Sequence, residues 1–137
     1  MTLPFTSGIN DLRRRLRGLP HSSLLRTLQE VLDQLPVSAL AADNTGRYVA
    51  ANTLASTFTG FSRDELLKMS VKDLVPALRH DTGEGWNRFI QCGSLAADYL
   101  LVCKDRAPLA VRYTAYASVA PGVHVSLLTP LELPSSI

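Results

Sequence analysis

The first 35 residues carry apolar side chains at helical spacing in two separate runs. The runs are divided by Gly18 and Pro20, and the second one stops before Pro36. Their apolar positions are Ile9, Leu12, Leu16 and Leu19 in the first run, and Leu24, Leu25, Leu28, Val31, Leu32 and Leu35 in the second. Intervals of three and four predict two short amphipathic helices, with Ser22 or Ser23 capping the second.

From residue 37 onward the pattern changes to short apolar runs separated by polar turn residues. Val37 to Ala42 and Arg47 to Ala51 predict two strands, and the Asp43 to Gly46 segment between them is typical of a tight hairpin turn. Asn52 and Ser62 then stand where caps of two short helices are expected. Glu65 follows Ser62 by three residues and completes a predicted capping box.

The middle of the chain predicts one more helical turn and one longer helix. Ser70 to Val75 forms the turn and stops at Pro76, while Asp81 to Glu84 is a predicted capping box for the longer helix. This helix is expected to end at Gly93 and to carry three residues on one face by their spacing: Trp86, Phe89 and Ile90.

The last third of the chain has strand character in three stretches. They cover residues 98–104, 109–119 and 123–129, with turn-forming residues at Asp105 to Pro108 and at Ala120 to Gly122. Two further hairpins would therefore complete an antiparallel sheet of five strands. The predicted helices of the middle section lie between strands two and three of this sheet.

This order of hairpin, caps, short helices and hairpins resembles a PAS domain over residues 35–129. The matching positions are Asp43, Gly46, Asn52, Gly60, Phe61, Ser62, Glu65 and Leu66. The resemblance implies an α+β fold in which one five-stranded antiparallel sheet and a few short helices enclose a pocket, with a sensory role in signal transduction. The chain departs from the family pattern in two places: Lys104-Asp105-Arg106-Ala107-Pro108 replaces the Lys-Asp-Gly turn, and Leu128-Thr129-Pro130 replaces the final Asp-Ile-Thr triplet.

Composition agrees with one globular unit. Apolar residues make up 46% and charged residues 19% of 137 residues, which is typical of a folded domain rather than of a disordered chain. We predict a helical extension over residues 1–35, a PAS core over 36–130 and a short tail over 131–137. The formal charge of +2 does not indicate a nucleic-acid partner. No run approaches the roughly 18 apolar residues of a membrane span, so no membrane partner and a cytoplasmic location are expected.

No catalytic motif stands out along the chain. The three histidines, two cysteines and the carboxylates show no spacing typical of a nucleophile with its base or of a metal site. Both Cys92 and Cys103 are therefore expected to be small buried apolar residues, or Cys92 a partly exposed thiol. We predict a non-catalytic module.

The resemblance places a pocket between the long helix and the inner face of the sheet. Its wall would be built from Trp86, Phe89, Ile90, Tyr99, Leu101, Cys103 and Tyr113. Two interpretations stay open: these residues enclose a small apolar ligand, or they only fill the core.

Some PAS domains hold haem through a histidine on the long helix, which makes a haem-bearing gas or redox sensor the alternative function. His80 is the candidate iron ligand, although it lies at or before the expected helix start. The flavin-adduct motif Asn-Cys-Arg-Phe-Leu-Gln is replaced here by Ser70-Val71-Lys72-Asp73-Leu74-Val75, so no covalent flavin adduct is expected. Noncovalent flavin binding stays open, but no residue pattern favours it.

The apolar stripes of the two N-terminal helices need a partner surface. They either cover the outer face of the chain's own sheet or pair with the same helices of a second copy in a homodimer. The candidate subunit-contact residues are Leu12, Leu16, Leu24, Leu28, Val31 and Leu35. A separate signalling protein is the other expected partner.

Overall fold

The computed structural model describes residues 6–76 and 84–131, and it begins with the two predicted helices. Helix α1 covers Thr6–Leu16 and helix α2 covers His21–Gln34. The predicted cap of α2 is wrong, because the helix begins one residue after Pro20, and Ser22 and Ser23 lie inside its first turn. Pro20 is the N-cap residue of α2 and has an extended backbone, which the fixed φ of proline allows.

The hairpin and the short helices follow in the predicted order. Strand β1 covers Ser38–Ala42 and β2 covers Tyr48–Ala51, followed by helices α3 (Thr53–Thr59), α4 (Arg63–Leu66) and α5 (Val71–Leu74). Asn52 caps α3 by accepting a hydrogen bond from the amide of Ala55 at 2.9 Å. Ser62 and Glu65 form the predicted capping box of α4.

Helix α6 covers Glu84–Cys92, and three long strands follow it: β3 (Ser94–Leu101), β4 (Leu109–Ala120) and β5 (Val123–Pro130). Gly93 takes a φ of +89° and ends α6, as expected of glycine there. The cap predicted at residues 81–83 lies outside the described residues.

The predicted bounds of β3 are wrong at both ends. The strand begins four residues before Asp98 and stops at Leu101 instead of Lys104. Its residues pair continuously with the long strand β4, from Ser94 opposite Tyr116 to Leu101 opposite Leu109. Cross-strand pairing therefore extends β3 over Ala96 and Ala97, whose own preference for strands is weak.

All strand pairs are antiparallel, and the sheet order is β2-β1-β5-β4-β3. Helices α3 to α6 lie between β2 and β3 in the chain, which confirms the predicted α+β topology. Since β1 lies next to β5, the first and last strands meet in the middle of the sheet.

The sheet carries one apolar layer on each face. Alternation along β1 shows the division, because Ala39 and Ala41 face one layer while Leu40 and Ala42 face the other. We call the side that faces α3 to α6 the inner layer and the side covered by α1 and α2 the outer layer.

Within one chain, α1 and α2 cover the outer face of the sheet. Leu35, one of the six candidate subunit-contact residues, is partly buried and packs against the outer layer. The other five are buried in that layer: Leu12, Leu16, Leu24, Leu28 and Val31. The same side chains are therefore already in contact with the chain's own sheet. A homodimer through them stays a prediction.

Within the two described ranges, no helix combines the length and apolar character needed to cross a membrane.

Candidate functional site

The inner layer brings together the predicted pocket residues whose side chains are described. Leu101 at the end of β3, Cys103 in the following turn and Tyr113 on β4 are buried there beside Phe89 of α6, and Ile90 and Tyr99 pack against them. Trp86 lies on α6, but its side chain is outside the described part of the structure. The helix and the sheet thus approach each other as the resemblance implies.

One small cavity lies where Phe89 of α6 meets the sheet. This cavity is lined by Phe89, Tyr113 and their neighbours and has about 10 Å³ for the centre of a water-sized sphere. That is close to the least space one water molecule needs, and it is far below the several hundred Å³ of a typical ligand pocket. At this point of the inner layer the described side chains fill the space themselves.

Two tyrosines fix the packing on the inner face of the sheet. The rings of Tyr99 and Tyr113 meet edge to face with centroids 5.8 Å apart. Burial raises the pKa of Tyr113 to about 12, although its hydrogen bond with Ser126 acts in the opposite direction. Burial also raises the pKa of Tyr48 well above its ordinary value. The Tyr48 and Tyr113 phenols are therefore neutral at physiological pH.

His124 on β5 has hydrogen bonds of the kind found at functional sites, although the sequence pattern did not identify it as a candidate. It is buried, and its Nδ1 accepts a hydrogen bond from the amide of Ser118 at 2.8 Å. Its Nε2 therefore carries the proton and donates to Oδ1 of Asn44 at 2.7 Å. The ring also lies edge to face with Phe89, with centroids 5.9 Å apart. One imidazole thus links the β1–β2 turn, the end of β4 and helix α6.

The neighbourhood of His124 favours the neutral ring. Burial lowers the pKa of His124, while the nearby carboxylate of Asp43 acts in the opposite direction. Ser118 has a φ of +56°, a strained angle for a non-glycine residue, and the bond from its amide to the imidazole supports this conformation. Protonation at Nδ1 would remove that acceptor.

The turn that holds Asn44 is ordered by Asp43. Its Oδ1 accepts hydrogen bonds from the amide of Thr45 at 2.8 Å and from the amide of Arg47 at 3.1 Å. Partial burial alone would raise the pKa of Asp43, but these bonds and that from the Thr45 hydroxyl outweigh it, so the pKa is lowered. Gly46 completes the turn with a φ of +87°.

Asn52 does more than cap α3. Its Oδ1 also accepts from the amide of Ala39 at 3.0 Å, and its Nδ2 donates to the carbonyl oxygens of Leu32 and Val37, both at 2.8 Å. The side chain is buried. One amide group therefore joins the end of α2, strand β1 and the start of α3.

Two residues of α2 add to this connection. The Gln29 side chain accepts from the amide of Ala51 at 3.2 Å and donates to the carbonyl of Ala51 at 2.7 Å, so it pairs with β2 as a neighbouring strand would. Asp33 accepts from the amide of Thr53 at 3.3 Å. We call Gln29, Asp33 and Asn52 the helix clasp, because they hold α2 to the sheet by polar bonds.

The described residues around the inner cavity do not form a haem site. His80, the candidate iron ligand, lies outside them. His124 uses both ring nitrogens in hydrogen bonds, and the cavity next to it is close to the size of a water molecule. Among the described residues, no three histidine, cysteine or acidic side chains are grouped so that they could hold a metal ion.

Comparison with protein families gives a match to the PAS fold over residues 26–91. This range begins inside α2 and ends near the end of α6, so it includes the helix clasp and the capped helices. No curated protein sequence matches the chain significantly.

Solved structures share this fold at low sequence identity. A PAS domain from a two-component sensor histidine kinase has a TM-score of 0.64 at 13% identity and covers 82% of this chain and 100% of its own. A domain of a sensory box sensor histidine kinase/response regulator from Geobacter sulfurreducens has a TM-score of 0.61 at 19% identity, with 82% and 99% covered. The PAS domain of nitrogen regulation protein NR(II) from Vibrio parahaemolyticus has a TM-score of 0.58 at 18% identity, with 76% and 97% covered.

Proposed function

Since this chain contains a PAS domain, we propose that it is a non-catalytic regulatory module of signal transduction that acts through its outer helices. The observation that carries the proposal is how the outer layer is attached. Helices α1 and α2 lie on the sheet as one apolar layer, and α2 is tied down by the helix clasp. Helices α1 and α2 add no strand to the sheet, so their detachment would break none of its strand pairs.

In this proposal the signal is a shift between an attached and a detached state of α1 and α2. Any partner or ligand that binds the two states with different affinity shifts the balance between them. The inner layer supports this interpretation, because the cavity described beside Phe89 of α6 is close to the size of one water molecule. Enclosing an apolar ligand there, as the resemblance implies, would require that space to expand.

The predicted homodimer takes a specific form in this scheme. Leu12, Leu28 and their neighbours are buried against the chain's own sheet, so they can contact a second copy only after the layer detaches. Two copies that exchange their α1–α2 layers would form the same apolar contacts between chains. The separate signalling protein would bind the detached helices or the exposed outer face of the sheet.

The proposal is tested by weakening the clasp at Gln29, whose amide bonds both backbone groups of Ala51. We expect Gln29→Ala to increase hydrogen exchange in α1 and α2 more than in β4 and β5, and to raise the dimer fraction in light scattering. Gln91→Ala is the matched control, since Gln91 is exposed on α6. Equal loosening of helices and sheet in the Gln29→Ala protein would contradict the proposal.

A further inference from the structure

A second cavity lies at one end of the sheet, between α3 and the strands β1 and β5. It is an open groove with about 270 Å³ for the centres of water-sized molecules. Leu54 and Phe58 of α3 form one apolar wall, and Leu128 of β5 forms part of the other. We call it the α3 groove. Its volume approaches that of sites that bind small molecules.

Ser38 gives the α3 groove a polar group that is not used by the fold. The residue is only 6% exposed, and its Oγ has no hydrogen-bond partner among the described residues. Alternation along β1 places Ser38 on the same face as Leu40, which is the face that α3 covers. A buried hydroxyl without a partner is unfavourable, so a bound group that hydrogen-bonds to it gains affinity.

The lining of the groove also sets the charge of its ligand. Apart from Ser38, the polar side chains among its described lining residues are the hydroxyls of Thr57 and Thr129, and none of these residues is charged. A charged molecule would lose hydration there without meeting an opposite charge. We propose that the α3 groove binds a neutral, mainly apolar small molecule whose hydroxyl or carbonyl group hydrogen-bonds to Ser38 Oγ once the side chains over this buried oxygen move aside.

The position of the groove connects binding with the helix clasp. Pro36 and Val37 line it, and they form the link between α2 and β1. The carbonyl of Val37 accepts one of the hydrogen bonds of Asn52. An occupant between α3 and β1 therefore acts beside the bonds that hold the end of α2. This coupling rests on the proposed function, whereas the binding itself does not.

The site is tested with three probes that share one ring: benzyl alcohol, toluene and benzoate. Amide chemical shifts in two-dimensional NMR report where each probe binds. We expect benzyl alcohol to shift the amides of Ser38, Leu54, Phe58 and Leu128. It should bind about three- to tenfold more tightly than toluene, a range that follows from the net worth of one hydrogen bond. It should also bind more tightly than benzoate, whose charge would lose hydration in the groove. Absence of shifts at these amides would overturn the site and leave the proposed function standing.

Two variants and one control locate the contacts. Ser38→Ala should remove the advantage of benzyl alcohol over toluene, while toluene binds as before. Leu54→Lys should prevent binding by placing a charge in the apolar wall. Leu54 is 43% exposed, so this change is compatible with folding. The control Leu100→Lys alters a leucine that is 62% exposed on β3, away from the groove. Unchanged benzyl alcohol affinity in the Ser38→Ala protein would overturn the role of the hydroxyl.

The coupling has its own readout. Saturating benzyl alcohol should change hydrogen exchange in the last turn of α2 in the wild-type protein. Groove shifts without any change in α2 would overturn the coupling and leave the binding site intact.

Discussion

The two faces of the sheet are covered in different ways. On the outer face, two helices of 11 and 14 residues lie across the strands, with apolar stripes beneath them and polar bonds at their edges. On the inner face, short helices are each fixed by caps and individual side-chain bonds. In the proposed mechanism the outer layer moves as a unit, whereas the inner layer stays fixed at many separate points. This difference is why we assign the regulatory role to the outer layer.

The largest expected effect comes from the apolar stripe of α2. Leu28 is 0% exposed, so Leu28→Ala should lower the free energy of unfolding by about 4 kcal/mol, through lost burial and the cavity that remains. Leu25 is only partly buried on the same helix and is the control, with an expected loss of about 1 kcal/mol. Urea unfolding followed by circular dichroism measures both. Equal losses would mean that the outer layer does not pack as described.

Next in size is the central residue of the clasp. Asn52→Ala removes the side-chain partner of the Ala39 amide and of the Val37 carbonyl, and it removes the cap of α3. The Leu32 carbonyl also loses its bond from Asn52 but keeps the one from the amide of Leu35. We expect a loss of about 3 kcal/mol in the free energy of unfolding. The exposed Asn10 on α1 provides the control Asn10→Ala, which should change stability by less than about 0.5 kcal/mol. A mild effect of Asn52→Ala would show that apolar contacts alone hold α2.

The third effect is a pH dependence that arises from His124. Burial lowers the pKa of His124 in the folded protein below its ordinary value of 6.5, so the unfolded chain binds a proton first as the pH falls. The stability that depends on neutral His124 is therefore fully present above about pH 6.5 and is lost as the pH falls toward the folded pKa.

Urea unfolding midpoints measured between pH 7 and pH 5 give the slope of stability against pH. His124→Gln should flatten it, whereas His21→Gln should retain it because His124 is intact. His21 is exposed at the start of α2, so this control removes a histidine without opening the core. A slope that survives in the His124→Gln protein would assign the pH dependence to another group.

The smallest effect is expected at an ion pair that joins the inner helices to the β3–β4 turn. Lys104 Nζ and Glu65 Oε2 are 2.6 Å apart, and the pair lies at the surface. This contact lowers the pKa of Glu65 and raises the pKa of Lys104. Water and salt screen such pairs, so Lys104→Ala should leave the urea midpoint unchanged within error. A clear loss would show that this ion pair anchors the inner helices.

Local features of the fold could be predicted from the sequence. The caps at Asn52 and Ser62 and the glycine that ends α6 depend on neighbouring residues alone. The stripes of α1 and α2 could also be predicted, because helical spacing repeats over several turns. What covers these stripes could not be decided, because a chain's own sheet and a second copy offer the same apolar surface.

Features that depend on distant pairing could not be predicted. The early start of β3 comes from its ladder with β4, and the hydrogen bond between His124 and Asn44 joins residues 80 positions apart. The unused hydroxyl of Ser38 becomes evident only once α3 lies over β1. The alternation of Val123, His124 and Val125 carried one signal, since a histidine between buried valines in a central strand needs polar partners.

Native-state hydrogen exchange at increasing urea concentrations tests the detachable outer layer most directly. We predict that the amides of α1 and α2 open together at a lower free energy than those of β1, β4 and β5, which open only when the whole domain unfolds. If helix and sheet amides shared a single opening free energy over the whole urea range, the outer layer would be an inseparable part of the core, and regulation through its detachment would be contradicted.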